Sequence, residues 1–389
     1  MVVYKKASLC QPENFREMYL FAFIVCVCIL VTPSLSFSGD AVGENEPLNV
    51  KIGQMIMVGF RGLTVNDKSP VIADIKKRKI GGVILFDYDV PSQSPVRNIE
   101  SPDQVRSLVS ALQEASYIPL FIAIDQEGGK VNRLKERFGF PPTVSEGYLG
   151  RIDDPEVTKK YAERTAETLA ALGINLNFAP VVDLNINPDN PVIGKIERSF
   201  SADTEVVIRH SMVTIDAFHT HGILSAIKHF PGHGSSTADS HKRFVDVTES
   251  WSPDELKPFE AIIQSGNCDM VMTAHIFNAR LDPLWPATLS HRIIGGILRD
   301  DMRFNGVVAS DDMQMNAIRS FYGLEIAIKM AIGAGCDILV FANNSTFDEN
   351  IAGRAIDVIK KLVAEGEIKN KRIDESYSRI IRLKEKLKQ

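Results

Sequence analysis

Short apolar runs that alternate with longer amphipathic stretches restrict the fold of this 389-residue chain more than any other feature. Eight runs are present, at residues 55–60, 82–86, 120–124, 176–182, 223–227, 270–274, 307–309 and 338–341. Continuous apolar strands that alternate with helices are typical of a parallel sheet with helices on both faces. Eight strand–helix units in ~340 residues match the size of an α/β fold of the single-domain (β/α)8 TIM barrel type. Periodicity alone leaves a doubly wound open sheet as the alternative.

The segments between the runs carry apolar residues at helical spacing, for example at 158–172, 205–219 and 254–264. Gly173 is placed to end the first of these helices, and Ser252-Pro253 to begin the third. A last helix over 374–388 is expected to pack outside the barrel. No linker, repeat or low-complexity segment interrupts residues 48–389, which predicts one domain there.

Residues 1–38 follow the order of a secretory signal, in which basic residues precede an apolar run that ends in small residues. The apolar run, 19–31, has 13 residues, fewer than the ~20 that a membrane-spanning helix needs. We therefore predict a signal peptide over 1–38, with an N-terminal apolar anchor as the alternative and Met18 as an alternative start. A polar linker would follow over 39–47. Such a chain is exported to the periplasm, the cell envelope or the medium, with the export machinery as a transient partner.

The composition is that of an ordinary globular protein, with 44% apolar and 24% charged residues. The net charge of −5 provides no basic field for a polyanion, so no nucleic-acid partner is expected. A neutral or weakly charged small substrate fits this charge better. We separately expect a monomer that uses no cofactor. Cys268 and Cys336 each open an apolar stretch, and we expect buried residues at strand starts rather than a disulfide.

Polar clusters begin where the apolar runs end. These clusters are Asp125-Gln126-Glu127, Asp183, Lys228-His229, His275 and Ser310-Asp311-Asp312. In a barrel, the carboxyl ends of the strands form the mouth at which active sites are built. The clusters are therefore expected to converge on one site.

Asp311 is a candidate nucleophile in the last of these clusters. The cluster has a purely structural explanation, because Ser and Asp side chains cap the helix that follows a strand. Ser310 and Asp312 can supply that cap, however, which leaves Asp311 placed to attack an electrophilic carbon as a carboxylate.

A glycine-rich loop after the fifth run contains a candidate acid/base pair, Asp239-Ser240-His241. The Asp239 carboxylate can accept a proton from one ring nitrogen of His241, which sets the tautomer and orientation of the ring and raises its basicity. The other ring nitrogen would then face the substrate. The glycines and prolines of this loop indicate that it is able to move.

The same residues allow two other chemistries. The candidate ligands for zinc or another divalent metal are His229, His233, Asp239, His241 and His275. No His-x-His or His-Glu-x-x-His pattern anchors such a site, so no bound metal is expected. Lys228 at a strand end would suit a Schiff-base enzyme if its pKa were lowered. A permanently charged Lys228 would instead hold sugar hydroxyls.

Asp125, Arg133 and Arg198 complete the set of candidates. Arg133 lies eight residues after Asp125, and Arg198 lies in the loop after the fourth run. Either arginine could simply pair with surface acids. Beside Lys228 at a barrel mouth, forked donors and a carboxylate can instead bind a polyol, because sugar recognition needs both donors and acceptors.

Together these motifs resemble glycoside hydrolase family 3, and within it the single-domain β-N-acetylhexosaminidases of the cell-wall-recycling type. The resemblance covers nearly all of residues 48–386, so 48–389 is expected to be a catalytic domain of that family's N-terminal type. Its specific pieces are Asp125-Gln126-Glu127-Gly128-Gly129, residues 177–183, Arg198-Ser199-Phe200, residues 228–234, Asp239-Ser240-His241, Met272-Thr273-Ala274-His275 and Ser310-Asp311-Asp312.

The resemblance implies a role for each of these side chains. Asp311 would be the nucleophile, His241 the acid/base in place of the usual carboxyl, and Asp239 the residue that orients His241. The residues implied to hold the sugar in the first subsite are Asp125, Arg133, Arg198, Lys228 and His229. The implied reaction is a retaining double displacement that removes terminal β-linked N-acetylglucosamine from a muropeptide or chitin-type oligosaccharide.

Several alternatives to this reaction stay open. Another sugar preference is one, and phosphorolysis is a second, because a neutral acid/base repels phosphate less than a carboxylate does. A metal-dependent barrel hydrolase is a third. A catalytically inactive sugar-binding protein is disfavoured by the presence of Asp239, His241 and Asp311. Two features depart from the family pattern: Asp87-Tyr88-Asp89 stands where Arg-Asn is more usual, and an export signal precedes a domain that is cytosolic in many relatives.

Overall fold

Eight parallel strands form the centre of the fold in the computed structural model, which describes residues 46–240 and 244–388. The strands are β1 (Ile56–Gly59), β2 (Gly82–Leu85), β3 (Phe121–Ile124), β4 (Leu176–Asn177), β5 (Leu224–Phe230), β6 (Met270–Thr273), β7 (Val307–Ala309) and β8 (Leu339–Phe341). Each pairs in parallel with the next, and β8 pairs with β1. A parallel bridge between Ala309 and Ile338 joins the end of β7 to the residue before β8 and closes the ring. The predicted TIM barrel is confirmed, and the open-sheet alternative is wrong.

Helices cover the outside of this ring. They are α1 (Leu48–Gln54), α2 (Pro70–Ala73), α3 (Pro102–Glu114), α4 (Glu146–Ile152), α5 (Pro155–Leu172), α6 (Thr204–Thr220), α7 (Lys257–Gln264), α8 (Asn316–Ala334), α9 (Ile351–Ala364) and α10 (Asn370–Glu385), with π-helical segments at Asp74–Arg78 and Arg292–Asp301. Helix α10 packs against α1, where Lys51 Nζ lies 2.7 Å from Asp374 Oδ1. Within the described part of the chain, no helix is long and apolar enough to cross a membrane. The signal segment predicted over 1–38, and most of the linker over 39–47, lie outside the described residues.

Local capping explains the bounds of α5. The helix begins at Pro155, three residues before the predicted start, because the Asp154 side chain accepts a hydrogen bond from the Glu156 N–H at 2.9 Å. It ends where expected, at Leu172. Gly173 follows with φ +76°, a left-handed conformation that glycine adopts without strain.

Strands β4 and β5 differ in length from their predicted runs. The fourth run was predicted as a strand over 176–182, but β4 ends at Asn177. Pro180 has no N–H to donate to a neighbouring strand. Beyond it, the Val182 N–H donates to the Lys228 carbonyl at 2.9 Å. Strand β5 extends to Phe230, so Lys228 and His229 are among its last three residues and do not follow the strand, which corrects their predicted position.

Every residue of the eight strands is buried. This is the expected state of strands that pack against the barrel interior on one face and helices on the other, and it explains why the runs are continuous rather than alternating. Cys336 is buried before β8, as predicted, whereas Cys268 before β6 is only half-buried. Both are free thiols, and burial raises the pKa of Cys336 to about 12.

Candidate active site

The carboxyl end of the barrel holds a buried cluster of cations and carboxylates around Lys228. Lys228 Nζ lies 2.8 Å from Asp125 Oδ1, beyond β3, and 2.6 Å from Glu127 Oε1. Arg198 grips Glu127 with two parallel bonds of 2.7 Å from its Nε and Nη2. Arg133 Nη2 donates to Asp125 Oδ2 at 3.3 Å. Four of the five residues predicted to hold a sugar thus belong to one connected cluster. Lys228 joins Asp125 to Glu127, Glu127 binds Arg198, and Asp125 binds Arg133.

The cluster has an inner and an outer layer. The side chains of Lys228 and Glu127 are only 1% and 2% exposed, whereas those of Asp125 and Arg133 are 18% and 25% exposed. Asp125 and Arg133 are therefore the members of the cluster that a ligand entering the mouth would meet first. Lys228 holds Asp125 from below, and Glu127 holds both Lys228 and Arg198.

The electrostatics of the cluster keep Lys228 charged. Burial by itself lowers the pKa of Lys228, but Asp125 and Glu127 outweigh burial and raise it above its ordinary value. Burial likewise opposes ionisation of Asp125, while Lys228 and Arg133 lower its pKa below the usual range. A Schiff-base lysine must be neutral when it attacks a carbonyl, so this environment disfavours that alternative for Lys228.

His229, at the end of β5, is held by an acid on one side and a cation on the other. Its Nδ1 lies 2.7 Å from Asp183 Oδ2, and its Nε2 lies 3.1 Å from Arg198 Nη2. Arginine can only donate, so Nε2 is the acceptor and the ring proton lies on Nδ1, directed at Asp183. Asp183 also accepts the backbone N–H of His233 at 2.7 Å. His229 is therefore a neutral imidazole of defined tautomer that links Arg198 to the loop after β5.

The start of that loop is tightly anchored. Both ring nitrogens of His233 are used inside the loop, Nδ1 toward Ser236 Oγ at 2.9 Å and Nε2 toward Ser240 Oγ at 3.3 Å. Burial lowers the pKa of His233 to about 4, so the ring is neutral. Glu255, in the capping turn before α7, accepts the N–H of Gly234 at 2.9 Å. Asp239, six residues after His233 in this loop, is half-buried.

Gly234 shows how closely the loop approaches the barrel. A Cβ atom added there would lie 1.6 Å from the Leu184 carbonyl oxygen. Only glycine permits this approach of two backbones, which is the physical reason for a glycine at this point of the loop.

Asp311 follows β7, and its neighbours Ser310 and Asp312 are used for structure, although not as the helix cap that the sequence predicted. Ser310 Oγ accepts the Val340 N–H at 3.0 Å, and Asp312 Oδ1 accepts the N–H groups of Gln314 and Ala342, each at 3.0 Å. Asp311 itself is half-buried, and its Oδ1 accepts the Asp312 N–H at 2.7 Å. Asp312 thus holds the turn before α8 and Ser310 the link to β8, while the N-cap of α8 is Met315, which makes no side-chain cap hydrogen bond.

His275, after β6, supports this segment from the side. Its Nε2 lies 3.0 Å from the Asp312 carbonyl oxygen, and its Nδ1 lies 2.8 Å from Thr288 Oγ1. The first contact supports the peptide next to Asp311, and the second fixes the His275 ring against Thr288. His241 falls in residues 241–243, outside the described residues, so its pairing with Asp239 stays a prediction.

Comparison with known proteins agrees with this geometry. The model of the glycosyl hydrolase family 3 N-terminal domain matches residues 47–383. The chain belongs to glycosyl hydrolase family 3. It is 33% identical to beta-hexosaminidase A of Pseudoalteromonas piscicida over 396 residues, which is 90% of this chain and 64% of that protein.

Two solved structures of family 3 show the same architecture. A β-N-acetylglucosaminidase from a Paenibacillus species has a TM-score of 0.81 and 36% identity, and covers 88% of this chain and 63% of its own. A β-N-acetylhexosaminidase from Beutenbergia cavernae has a TM-score of 0.79 and 27% identity, with coverage of 88% and 99%. The chain therefore spans less than two thirds of the Pseudoalteromonas and Paenibacillus proteins, and nearly all of the Beutenbergia one.

The metal alternative finds no support in the part of the chain that the structure describes. In residues 46–240 and 244–388, no three His, Cys, Asp or Glu side chains are grouped so that they could hold a metal ion. Of the candidate ligands, His229 and His233 are directed at Asp183, Arg198 and loop serines instead.

The departure from the family 3 pattern after β2 has a structural explanation. Asp87 and Asp89 are both buried and both paired, Asp87 with Lys135 and Asp89 with Arg61. These acids thus bind cations of neighbouring loops. The rim of the mouth on this side is made of ion pairs.

Sequence reasoning missed three contributors to the site: Glu127, Asp183 and Glu255. Glu127 and Asp183 were noted in motifs but received no role, although Asp183 directly follows an apolar run and Glu127 lies three residues after one. Glu255 had only the signal of a capping box with Ser252, which predicts a helix start and nothing about a loop 20 residues away.

Proposed function

We propose that this chain is a retaining exo-β-N-acetylglucosaminidase. The observation that carries the proposal is the preorganised cluster in which Lys228 and Arg198 hold Asp125 and Glu127 at the same barrel mouth as Asp311. Donors and acceptors fixed in place before substrate arrives bind sugar hydroxyls without reorganising. The names of the family 3 relatives, beta-hexosaminidase and β-N-acetylglucosaminidase, support an acetamido sugar in this site.

In the proposed reaction Asp311 attacks the anomeric carbon while His241 protonates the departing glycosidic oxygen. A glycosyl ester on Asp311 results, and the aglycone leaves as an alcohol. His241 then takes a proton from water, the water oxygen attacks the anomeric carbon, and the ester bond breaks to free Asp311. Two inversions give net retention. Asp239 orients His241, and Asp125 with Arg133 bind the hydroxyls of the non-reducing sugar.

We propose terminal β-linked N-acetylglucosamine of peptidoglycan-derived or chitin-type glycans as the substrate. The cluster favours this class because the outer groups, Asp125 and Arg133, supply one acceptor and one forked donor for an uncharged polyol. His229, which contacts Arg198, is a neutral imidazole and adds no positive charge that would favour an anionic sugar.

The first experiment measures release from an aryl β-N-acetylglucosaminide and the matching aryl β-glucoside, with chelator present, by wild type and Asp311→Ala. We expect release from the acetamido sugar alone, and a fall of more than about 10³-fold in Asp311→Ala. The variant should fold normally, since Asp311 is a half-buried residue after the end of β7 and adds little to the core. Asp103→Ala, an exposed acid on α3, is the matched control.

The second experiment tests the glycosyl-Asp intermediate. A 5-fluoro N-acetylglucosaminyl fluoride forms the ester quickly and releases it slowly, so mass spectrometry of peptides should find the label on Asp311. NMR of the first product should show the β anomer. A label on another acid, or a first product of α configuration, would contradict the mechanism, and turnover that depends on added phosphate would favour phosphorolysis.

A further inference from the structure

Three phenylalanine rings, Phe244, Phe277 and Phe321, form a cluster that we call the aromatic patch. The Phe244 ring centroid lies 5.4 Å from that of Phe277 and 5.4 Å from that of Phe321. Phe321, on α8, is 59% exposed. Single exposed apolar residues are ordinary, but a group of rings with one face in solvent marks a surface suited to binding.

The aromatic patch lies beside the segment that carries Asp311. Phe277 comes two residues after His275, whose Nε2 bonds to the carbonyl of Asp312, the neighbour of Asp311. In the sequence, Phe244 comes three residues after His241. The patch therefore borders the proposed nucleophile in the structure and follows the proposed acid/base in the sequence.

The positions of the rings are set by local structure. Val245–Asp246 pairs in parallel with Ile276–Phe277, and this short two-stranded sheet holds Phe244 and Phe277 side by side. Phe321 is presented by α8 just before Gly323, where φ +70° interrupts the helix. Three segments that are far apart in sequence thus place their rings together on the barrel mouth.

We propose that the aromatic patch binds the second sugar ring of the substrate, the one that leaves with the glycosidic oxygen. This inference rests on the proposed glycosidase function. The proton donor protonates the leaving oxygen, so the ring that departs must lie next to the His241 segment, and the patch follows that segment directly. A β-linked pyranose with equatorial substituents exposes faces of C–H groups, and these remove apolar area from water when they pack on aromatic rings.

The test compares two substrates that differ in the second ring. N,N′-diacetylchitobiose has it, and methyl β-N-acetylglucosaminide does not, while both have poor alkyl leaving groups that need a proton. For Phe321→Ala we expect kcat/KM on the disaccharide to fall about tenfold, with little change on the methyl glycoside. Phe321→Tyr, which keeps a ring, should retain the disaccharide rate.

Tyr117→Ala is the matched control. Tyr117 is an aromatic residue with 80% exposure, and it precedes β3 at the opposite, amino end of the barrel. Its loss should leave the ratio of the two rates unchanged.

The outcomes separate this inference from the proposed function. If wild type cleaves both substrates and Phe321→Ala leaves their ratio unchanged, the aromatic patch does not bind the second ring. An equal loss on both substrates would also overturn the inference, because it would show that Phe321 only holds the Asp311 segment in place. If wild type cleaves neither, the proposed function itself fails and the inference fails with it.

Discussion

Replacement of Lys228 by methionine tests whether the buried cluster stabilises the fold as well as the site. Methionine keeps most of the length and apolar stem of lysine and removes its charge. Removal of one partner from a buried ion pair costs about 3–5 kcal/mol, mainly because the other charge is left without compensation. Here Glu127 keeps two bonds of 2.7 Å to Arg198, and Asp125 keeps Arg133 at 3.3 Å. We therefore expect the lower end, about 3 kcal/mol.

Thermal unfolding followed by calorimetry measures this loss. A domain of this size loses about 2–3 °C in Tm for each kcal/mol, so Lys228→Met should melt about 6–9 °C below wild type. Lys257→Met is the matched control, because Lys257 lies at a similar distance of 2.6 Å from Asp254 but both side chains are more than half exposed. Such a surface pair contributes at most about 1 kcal/mol. Equal small losses in the two variants would refute the reasoning that burial gives the Lys228 contacts their strength.

Three further predictions concern the loop after β5. His241→Ala should slow alkyl glycosides more than aryl glycosides, whose phenols leave with little proton help, and equal losses in kcat/KM would argue against His241 as the acid. Burial raises the pKa of Glu255 from 4.5 to about 7, so between these values the native state holds a proton that the unfolded chain has released. The contribution of Glu255 to stability is therefore fully present below about pH 4.5 and is lost as the pH rises through about 7. Melting temperatures of Glu255→Gln, which cannot ionise, should lack this part of the decline, and a slope identical to that of wild type would contradict the assignment. Gly234→Ala should lower kcat more than about tenfold, since a Cβ 1.6 Å from the Leu184 carbonyl forces the loop away; unchanged kinetics would show that the loop's position does not matter.

The barrel strands and the helix ends were predictable from the sequence because their signals are local. Strands buried on two faces must be continuously apolar, and a helix that ends in a left-handed residue favours glycine, as at Gly173. The placement of reactive side chains after the strands was predictable for the same reason. Asp125 and Asp311 follow their strands in the sequence as they do in the structure.

Which of these side chains meet depends on how the barrel packs. Ring closure through Ala309 and Ile338 depends on strand tilt and stagger, which periodicity does not contain. The contacts that define the site join Lys228 to Asp125 across 103 residues and His229 to Asp183 across 46, so no local pattern records them. Local sequence therefore sets which residue types lie at the mouth, and the packing of the barrel sets their partners, their layers and their charge states. The physical reason is that burial and pairing, which set a pKa, arise between distant parts of a chain.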